Sequence, residues 1–174
     1  EGSTVSVQDA VLKELTIHRA AFGDVNSGDI DDLLVYEGTV DAGGGMLERI
    51  RGLYGANVNL RGGVIGIDQR DGAFKLYDDS VATLHGGEFY LDGTPVAGLD
   101  WVGDEIELHV PEGPSLAGTL SDGSVFLFSP EGGDLLGGEI TLRQTALAAA
   151  PPVIDTPSDP LPWGLRPGQT LTVG

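Results

Sequence analysis

The chain has 174 residues and a formal charge of −18, from 27 acidic against 9 basic side chains, which disfavours a phosphate-backbone ligand or an anionic membrane surface. Apolar residues make up 40%, too many for a disordered acidic tail, and a length of this order fits one domain or two small ones. The absence of cysteine excludes disulfides, thiolate zinc sites and a cysteine nucleophile, and no apolar run reaches the ~20 residues of a membrane span.

The sequence opens on Glu1 without methionine or a signal peptide, which fits a mature form or a fragment. With 28 glycines, ten prolines and few helix formers, the composition predicts an all-β chain of many short strands. Thr4-Val5-Ser6-Val7 already alternates as a strand does. Further on, Phe22-Gly23-Asp24-Val25-Asn26-Ser27-Gly28-Asp29 is similar to a dockerin-type calcium loop, with Asp24, Asn26 and Asp29 as candidate ligands. A working loop places oxygens at its first, third, fifth and twelfth positions with glycine sixth. Counted from Asp24, Asn26 fits the third place, but Gly28 falls fifth and Asp29 sixth, so a solvated acidic turn is the competing reading.

Internal repetition is the stronger signal. Leu53-Tyr54 returns as Leu76-Tyr77 and Val58 as Val81, each after 23 residues, while Gly62-Gly63 returns as Gly86-Gly87 after 24. An aliphatic-x-x-small-x-apolar pattern starts at Ile17, Val35, Leu60 and Leu84, in steps of 18, 25 and 24 residues. Such a period predicts a parallel β-helix over residues 1–90, whose rungs stack about 4.8 Å apart with aliphatic columns inside. Gly62, Gly63, Gly86 and Gly87 are expected at its corners. A β-sandwich of hairpins, which also uses glycine-rich turns, is the alternative.

After Tyr90 the pattern changes. Asp92-Gly93 and Ser121-Asp122-Gly123 are hairpin signals, and the short strands between residues 91 and 145 predict an antiparallel cap over the end of the stack. Residues 146–162 form a linker with five prolines between 151 and 162, which favours an extended, semi-rigid path. Beyond it, residues 163–174 end in Gln169-Thr170-Leu171-Thr172-Val173-Gly174, a strand sequence that reads as the opening of another copy of the same unit.

The Val-x-Leu-x-Gly-Gly segments, the Leu91-Asp92-Gly93-Thr94-Pro95-Val96 run, the Leu116-Ala117-Gly118-Thr119-Leu120-Ser121-Asp122-Gly123-Ser124 hairpin and Arg166-Pro167-Gly168-Gln169-Thr170-Leu171 together resemble large secreted bacterial β-helix repeat proteins of planctomycete type. That resemblance spans residues 50–174 and implies the fold and an exported, cell-surface location, with no catalytic residues to transfer. The early stretch from Ile17 to Phe22 departs from it by lacking the Gly-Gly pair.

Chemistry-bearing residues are scattered. His18, His85 and His109 make no sequence-spaced metal pair, although His18 and His85 occupy equivalent repeat positions, with Tyr36 and Arg61 at the corresponding places between. All three histidines are expected on the surface. Arg49, Arg51, Arg61 and Arg70 gather into a basic stretch that either binds anions or balances neighbouring acids. Tyr54 and Tyr77 repeat in register and offer a two-ring sugar platform. The expectation is a non-enzymatic, cofactor-free module that joins end to end into tandem repeats or filaments, with calcium as the one candidate ion and roles in adhesion or the extracellular matrix. Trp163, Gln169, Leu171 and Val173 of one copy are expected to meet Val5 and Val7 of the next. The alternative is a β-helix domain that binds or degrades extracellular polysaccharide. Neither nucleic acid nor membrane insertion is expected.

Overall fold

A computed structural model describes residues 2–66, 72–77, 79–109, 114–130 and 133–148. Sixteen strands and no helix are found among them. Through the first ninety-one residues the chain passes back and forth between two sheets. The first sheet holds β1 (Thr4–Val7), β3 (Phe22–Val25), β5 (Thr39–Ala42), β7 (Asn57–Leu60) and β10 (Val81–Leu91), each parallel to the next. The second holds β2 (Ala10–Ile17), β4 (Gly28–Tyr36), β6 (Met46–Leu53), and then β8 (Val64–Ile65) and β9 (Phe74–Leu76), again parallel. A hairpin sandwich would make sequence neighbours antiparallel, and none of these pairs is.

Inward positions along the strands build the core, two residues apart in the first sheet and, at the first step of β4 and β6, three apart in the second (Ile30 to Leu33, Leu47 to Ile50). In the first sheet, register stacks Val7, Val25, Ala42, Leu60 and Leu84 in one column. Val5, Gly23, Val40, Val58 and Ala82 form a second. In the second sheet, Leu15, Leu33, Ile50 and Phe74 stack, as do Ile17, Val35, Gly52 and Leu76. Val25, Val40, Leu60, Leu33, Ile50 and Phe74 lose all contact with water. At roughly 1.5–3 kcal/mol for each fully buried aliphatic or aromatic side chain, these columns are the main stabilising element.

The true repeat is shorter than the sequence suggests. Val7, Val25, Ala42 and Leu60 are separated by 18, 17 and 18 residues, and only the last step, to Leu84, takes 24. Six extra residues fall between β8 and β9 in that last circuit: Leu47 pairs with Ile65 and Ile50 with Phe74, so a step of three residues in β6 faces a step of nine. Ile17 does pair with Val35 and Leu60 with Leu84, but the 25-residue step between Val35 and Leu60 joins two different sheets. The other matches slip by one: Val58 lies beside Ala82, and Gly52, not Leu53, beside Leu76. Gly63 sits at a bend with φ +101°, and a side chain at Gly62 would strike the Asp122 carboxylate 2.4 Å away. Gly86 and Gly87, however, lie within β10 and not at a corner.

The segment expected to be an antiparallel cap is mixed, and β10 runs across its boundary. β11 (Thr94–Pro95), β13 (Leu116–Leu120) and β14 (Val125–Phe128) pair antiparallel, as does β12 (Glu105–His109) with β16 (Glu139–Gln144). β16 itself runs parallel to β10, and β15 (Leu135–Leu136) parallel to β9. Ile140 and Leu142 sit beside Ala82 and Leu84 and so extend the same two columns by one more rung. Phe128 stacks on Phe74 at 4.5 Å and meets Phe126 at 4.9 Å with the rings tilted by 35°, which closes this end with aromatic rings. Two carboxylates tie the segment to the stack. Asp122 accepts the Gly63 amide at 2.7 Å, and Asp134 accepts the amides of Phe74 and Ser129 at 2.8 and 2.7 Å.

Candidate functional site

The two ends of the stack differ. At the far end β16, β12 and the phenylalanines cover the columns. At the near end, among the described residues, β1 pairs with β3 alone and β2 with β4 alone. Val5 is 39% exposed, although Val40, Val58 and Ala82 in the same column are fully buried. Leu12 and Leu15 are likewise only partly covered, while Ile30, Leu47, Leu33 and Ile50 beneath them are buried. Val7 faces inward and is already buried. The near end therefore presents an unpaired strand edge beside three incompletely covered aliphatics, a template for a further rung. Trp163, Gln169, Leu171 and Val173, expected to meet it, lie outside the described residues. Charge does not oppose such a contact: residues 1–19 carry Lys13 and Arg19 against Glu1, Asp9 and Glu14, a net of −1.

The proposed calcium ligands fall on separate elements. Asp24 belongs to β3, in a row with Ser6 and Asp41, and Asp29 belongs to β4, beside Val11 and Met46. Asn26 lies in the turn between, its amide donating to the Val7 carbonyl at 3.2 Å. Among the described residues no group of three or more carboxylates and histidines converges as a metal site.

One corner carries an aromatic ladder. Tyr36 ends β4, His18 and Tyr54 follow the ends of β2 and β6, and their rings stack at 5.5 and 6.3 Å with interplanar angles of 16° and 21°. Register sets Tyr36 beside Leu53, so Tyr54 is one residue late, and it takes a left-handed backbone, φ +54°. Arg19 and Glu37 pair at 3.1 Å on the rim. Tyr54 thus stacks with Tyr36 and His18, in a three-ring pile in which Tyr36 is covered on both faces and Tyr54, at the end, is 59% exposed.

His85, expected at the surface, is buried in a charged row. Arg61 donates to the Asp41 carboxylate at 2.9 Å and reaches the His85 Nδ1 at 3.5 Å. On the other side His85 stands beside Arg143, whose Nε donates to Glu105 at 2.8 Å. Burial first, and then the two guanidiniums, hold the imidazole below its usual pKa, with Asp41 and Glu105 opposing weakly. Neutral His85 accepts from Arg61 and braces the row. Its carbonyl also accepts the amide and hydroxyl of Ser121, each at 2.9 Å, which fastens the β13–β14 turn. Sequence equivalence sets His18, Tyr36, Arg61 and His85 in a single row, but the structure groups His85 with Arg61 and His18 with Tyr36. Nothing in the sequence signalled that the two pairs sit on different faces, one buried and one open.

The basic stretch divides too. Arg49 meets Asp32 through two bonds of 2.7 and 2.6 Å, Arg51 approaches the same carboxylate at 3.6 Å, and Arg61 meets Asp41, whereas Arg70 lies outside the described residues. These arginines balance acids across neighbouring rungs. No protein-family model, curated protein or solved structure matches the chain.

Proposed function

We propose that the chain is an exported structural module, a short β-solenoid that joins copies end to end at the cell surface or in the extracellular matrix. The observation that carries this reading is the open first rung together with the sequence of the tail. Thr170-Leu171-Thr172-Val173 repeats the Thr4-Val5-Ser6-Val7 pattern, hydroxyl, aliphatic, hydroxyl, valine. Laid parallel on β1, it would set Leu171 over Val5 and Val173 over Val7, extend both columns, and satisfy the free edge by strand addition. Residues 163–174 carry one charge, Arg166, opposite in sign to the net −1 of residues 1–19.

Linker length allows a neighbouring copy, in tandem or as a separate subunit. β1 stands four strand spacings from β10, about 19 Å. Twelve residues with five prolines span up to roughly 37 Å in the polyproline conformation that their composition favours, enough to pass beyond the chain's own body. The contact is heterologous and open, so it propagates. Export rests on the resemblance of the glycine-rich segments to secreted repeat proteins. A non-enzymatic role is supported by the engagement of Asp32, Asp41, Asp122 and Asp134 in arginine pairs and backbone bonds.

Deletion of residues 163–174 tests the proposal by sedimentation velocity. The full chain should form higher species as concentration rises, and the deletion should stay monomeric with unchanged β-sheet circular dichroism. A truncated chain that assembles as before, or a full chain that stays monomeric at high concentration, would overturn it.

A further inference from the structure

A tryptophan and a valine stand side by side in water at the far end of the stack. Trp101 is 77% exposed and Val102 71%, in the turn that leads into β12. The turn is rigid. The Trp101 amide donates to the Asp104 carboxylate at 2.8 Å, and the Asp104 amide donates back to the Trp101 carbonyl at 3.0 Å. Two more bonds clamp it to the end of β16: the Gly103 amide donates to the Gln144 carbonyl at 2.9 Å, and the Gln144 amide to the Asp104 carbonyl at 2.8 Å. An indole fixed in this way gives up little conformational freedom on binding, and tryptophan is enriched among the residues that dominate interfaces.

Register shows what lies along the stack from this turn. Val7, Val25, Ala42, Leu60, Leu84 and Leu142 share one column. Gln144 is two residues past Leu142, as Asp9 is two past Val7, so the clamped turn stands over the corner where the near end passes from β1 into β2. Among the described residues β12 pairs with β16 alone and is the outermost strand of its branch, so no strand lies beyond the turn in that direction. A second copy that continues the columns brings its own corner onto Trp101. The first residues of β2 there are Ala10, Val11 and Leu12; Val11 is 79% exposed, and Ala10 and Leu12 are only partly covered. Nearby charges leave the contact open. Glu105 is held by Arg143 and Asp9 by Ser27, while Asp100, before Trp101, and Lys13, after Leu12, are opposite in sign.

We propose that Trp101 and Val102 of one copy pack on Ala10, Val11 and Leu12 at the near end of the next. The contact rests on the end-to-end reading and adds to it. Strand addition on β1 leaves the start of β2 uncovered, and the tryptophan turn covers it, so both sheets take part in the joint. The two patches lie at opposite ends of one chain, so the contact is heterologous and propagates.

The test uses the full-length chain. Trp101→Ala and, on the other side of the joint, Val11→Asp should each raise the concentration at which sedimentation velocity shows half-assembly by about tenfold or more, with β-sheet circular dichroism unchanged. The protein has no native cysteine, so a cross-link gives an independent readout. Chains carrying Val11→Cys are mixed with chains carrying Val102→Cys under mild oxidation. The reference mixture replaces Val11→Cys with Val125→Cys, which is also exposed but belongs to the closing segment. The first mixture should form its heterodisulfide at least about tenfold faster, because the joint raises the local concentration of one thiol about the other. Equal rates in the two mixtures, or both substitutions assembling like the parent while deletion of residues 163–174 gives monomers, would overturn this contact alone. A deletion that still assembles and still favours the Val11–Val102 disulfide would support the contact and count against strand addition by the tail. A full-length chain that stays monomeric at high concentration would overturn both.

Discussion

Replacing Asp134 tests whether the closing segment is fastened to the parallel stack by its carboxylate. One oxygen accepts the Phe74 amide at 2.8 Å and the other the Ser129 amide at 2.7 Å, in a partly buried setting. A hydrogen bond to a charged group contributes about 1.5–3 kcal/mol, and an amide left without a partner loses solvation as well. Discounting for partial exposure and for relaxation, Asp134→Ala should cost about 3 kcal/mol. Asp134→Asn keeps a single acceptor oxygen and turns an NH2 towards the second amide, so it should lose about half as much. For a chain of this size, 3 kcal/mol corresponds to a fall of roughly 6–12 °C in Tm. Urea unfolding followed by circular dichroism, with the m-value held constant, measures both variants. A cost below about 0.5 kcal/mol for alanine, or equal costs for alanine and asparagine, would refute the two-bond account.

Four further outcomes are expected. Leu60→Ala, in the middle of a column, should destabilise by about 2–5 kcal/mol, whereas Val5→Ala at the open end should cost under about 1; comparable losses would contradict the burial gradient. Folded His85 has a lowered pKa and so binds fewer protons than the unfolded chain below about pH 6.5. Stability should therefore fall as pH drops through that region, and more steeply than in His85→Asn; parallel pH profiles would count against it. Tyr36→Ala removes both ring stacks and Tyr54→Ala only one, so the first should lose about 0.5–1.5 kcal/mol more, read by chemical denaturation, and equal losses would deny the ladder a stabilising role. If copies of a body with charge −18 meet end to end, their association should strengthen as salt rises, by light scattering, and weakening with salt would point to ion pairing instead.

Much of the architecture was legible in the residues. Alternating aliphatics announced the columns that contain Leu60 and Leu84, and Asp92-Gly93 gave the tight turn between β10 and β11, where both residues take positive φ, 48° and 73°. The repeat length was not legible, because an inward position accepts Val, Leu, Ala or even Gly, as Val40 and Gly23 in one column show. Only the last two circuits kept enough lettering to match, and they are the pair separated by an insertion. The burial of His85 escaped notice because it depends on Arg143, 58 positions away and brought alongside by a parallel strand from the closing segment. Asp134 was one acid among 27, and only the placement of two amides around it sets it apart. The open first rung followed from Val5 and Val7, but the asymmetry between the two ends needed the coordinates.

The six additional residues between Ile65 and Phe74 show what this architecture tolerates. β8 and β9, on either side of the insertion, both keep their pairing with β6, because the register is held by backbone ladders and side-chain columns. Gly66 and Gly72, on either side of the added stretch, take φ of +69° and +76°, a backbone that favours glycine. Closing a longer excursion there would cost only about 0.6 kcal/mol for each doubling of its length. The stretch between the two glycines is therefore a place for a foreign epitope, a tag or a small folded domain, and in an end-to-end assembly such an insert would recur once in every unit, at a spacing dictated by the number of rungs.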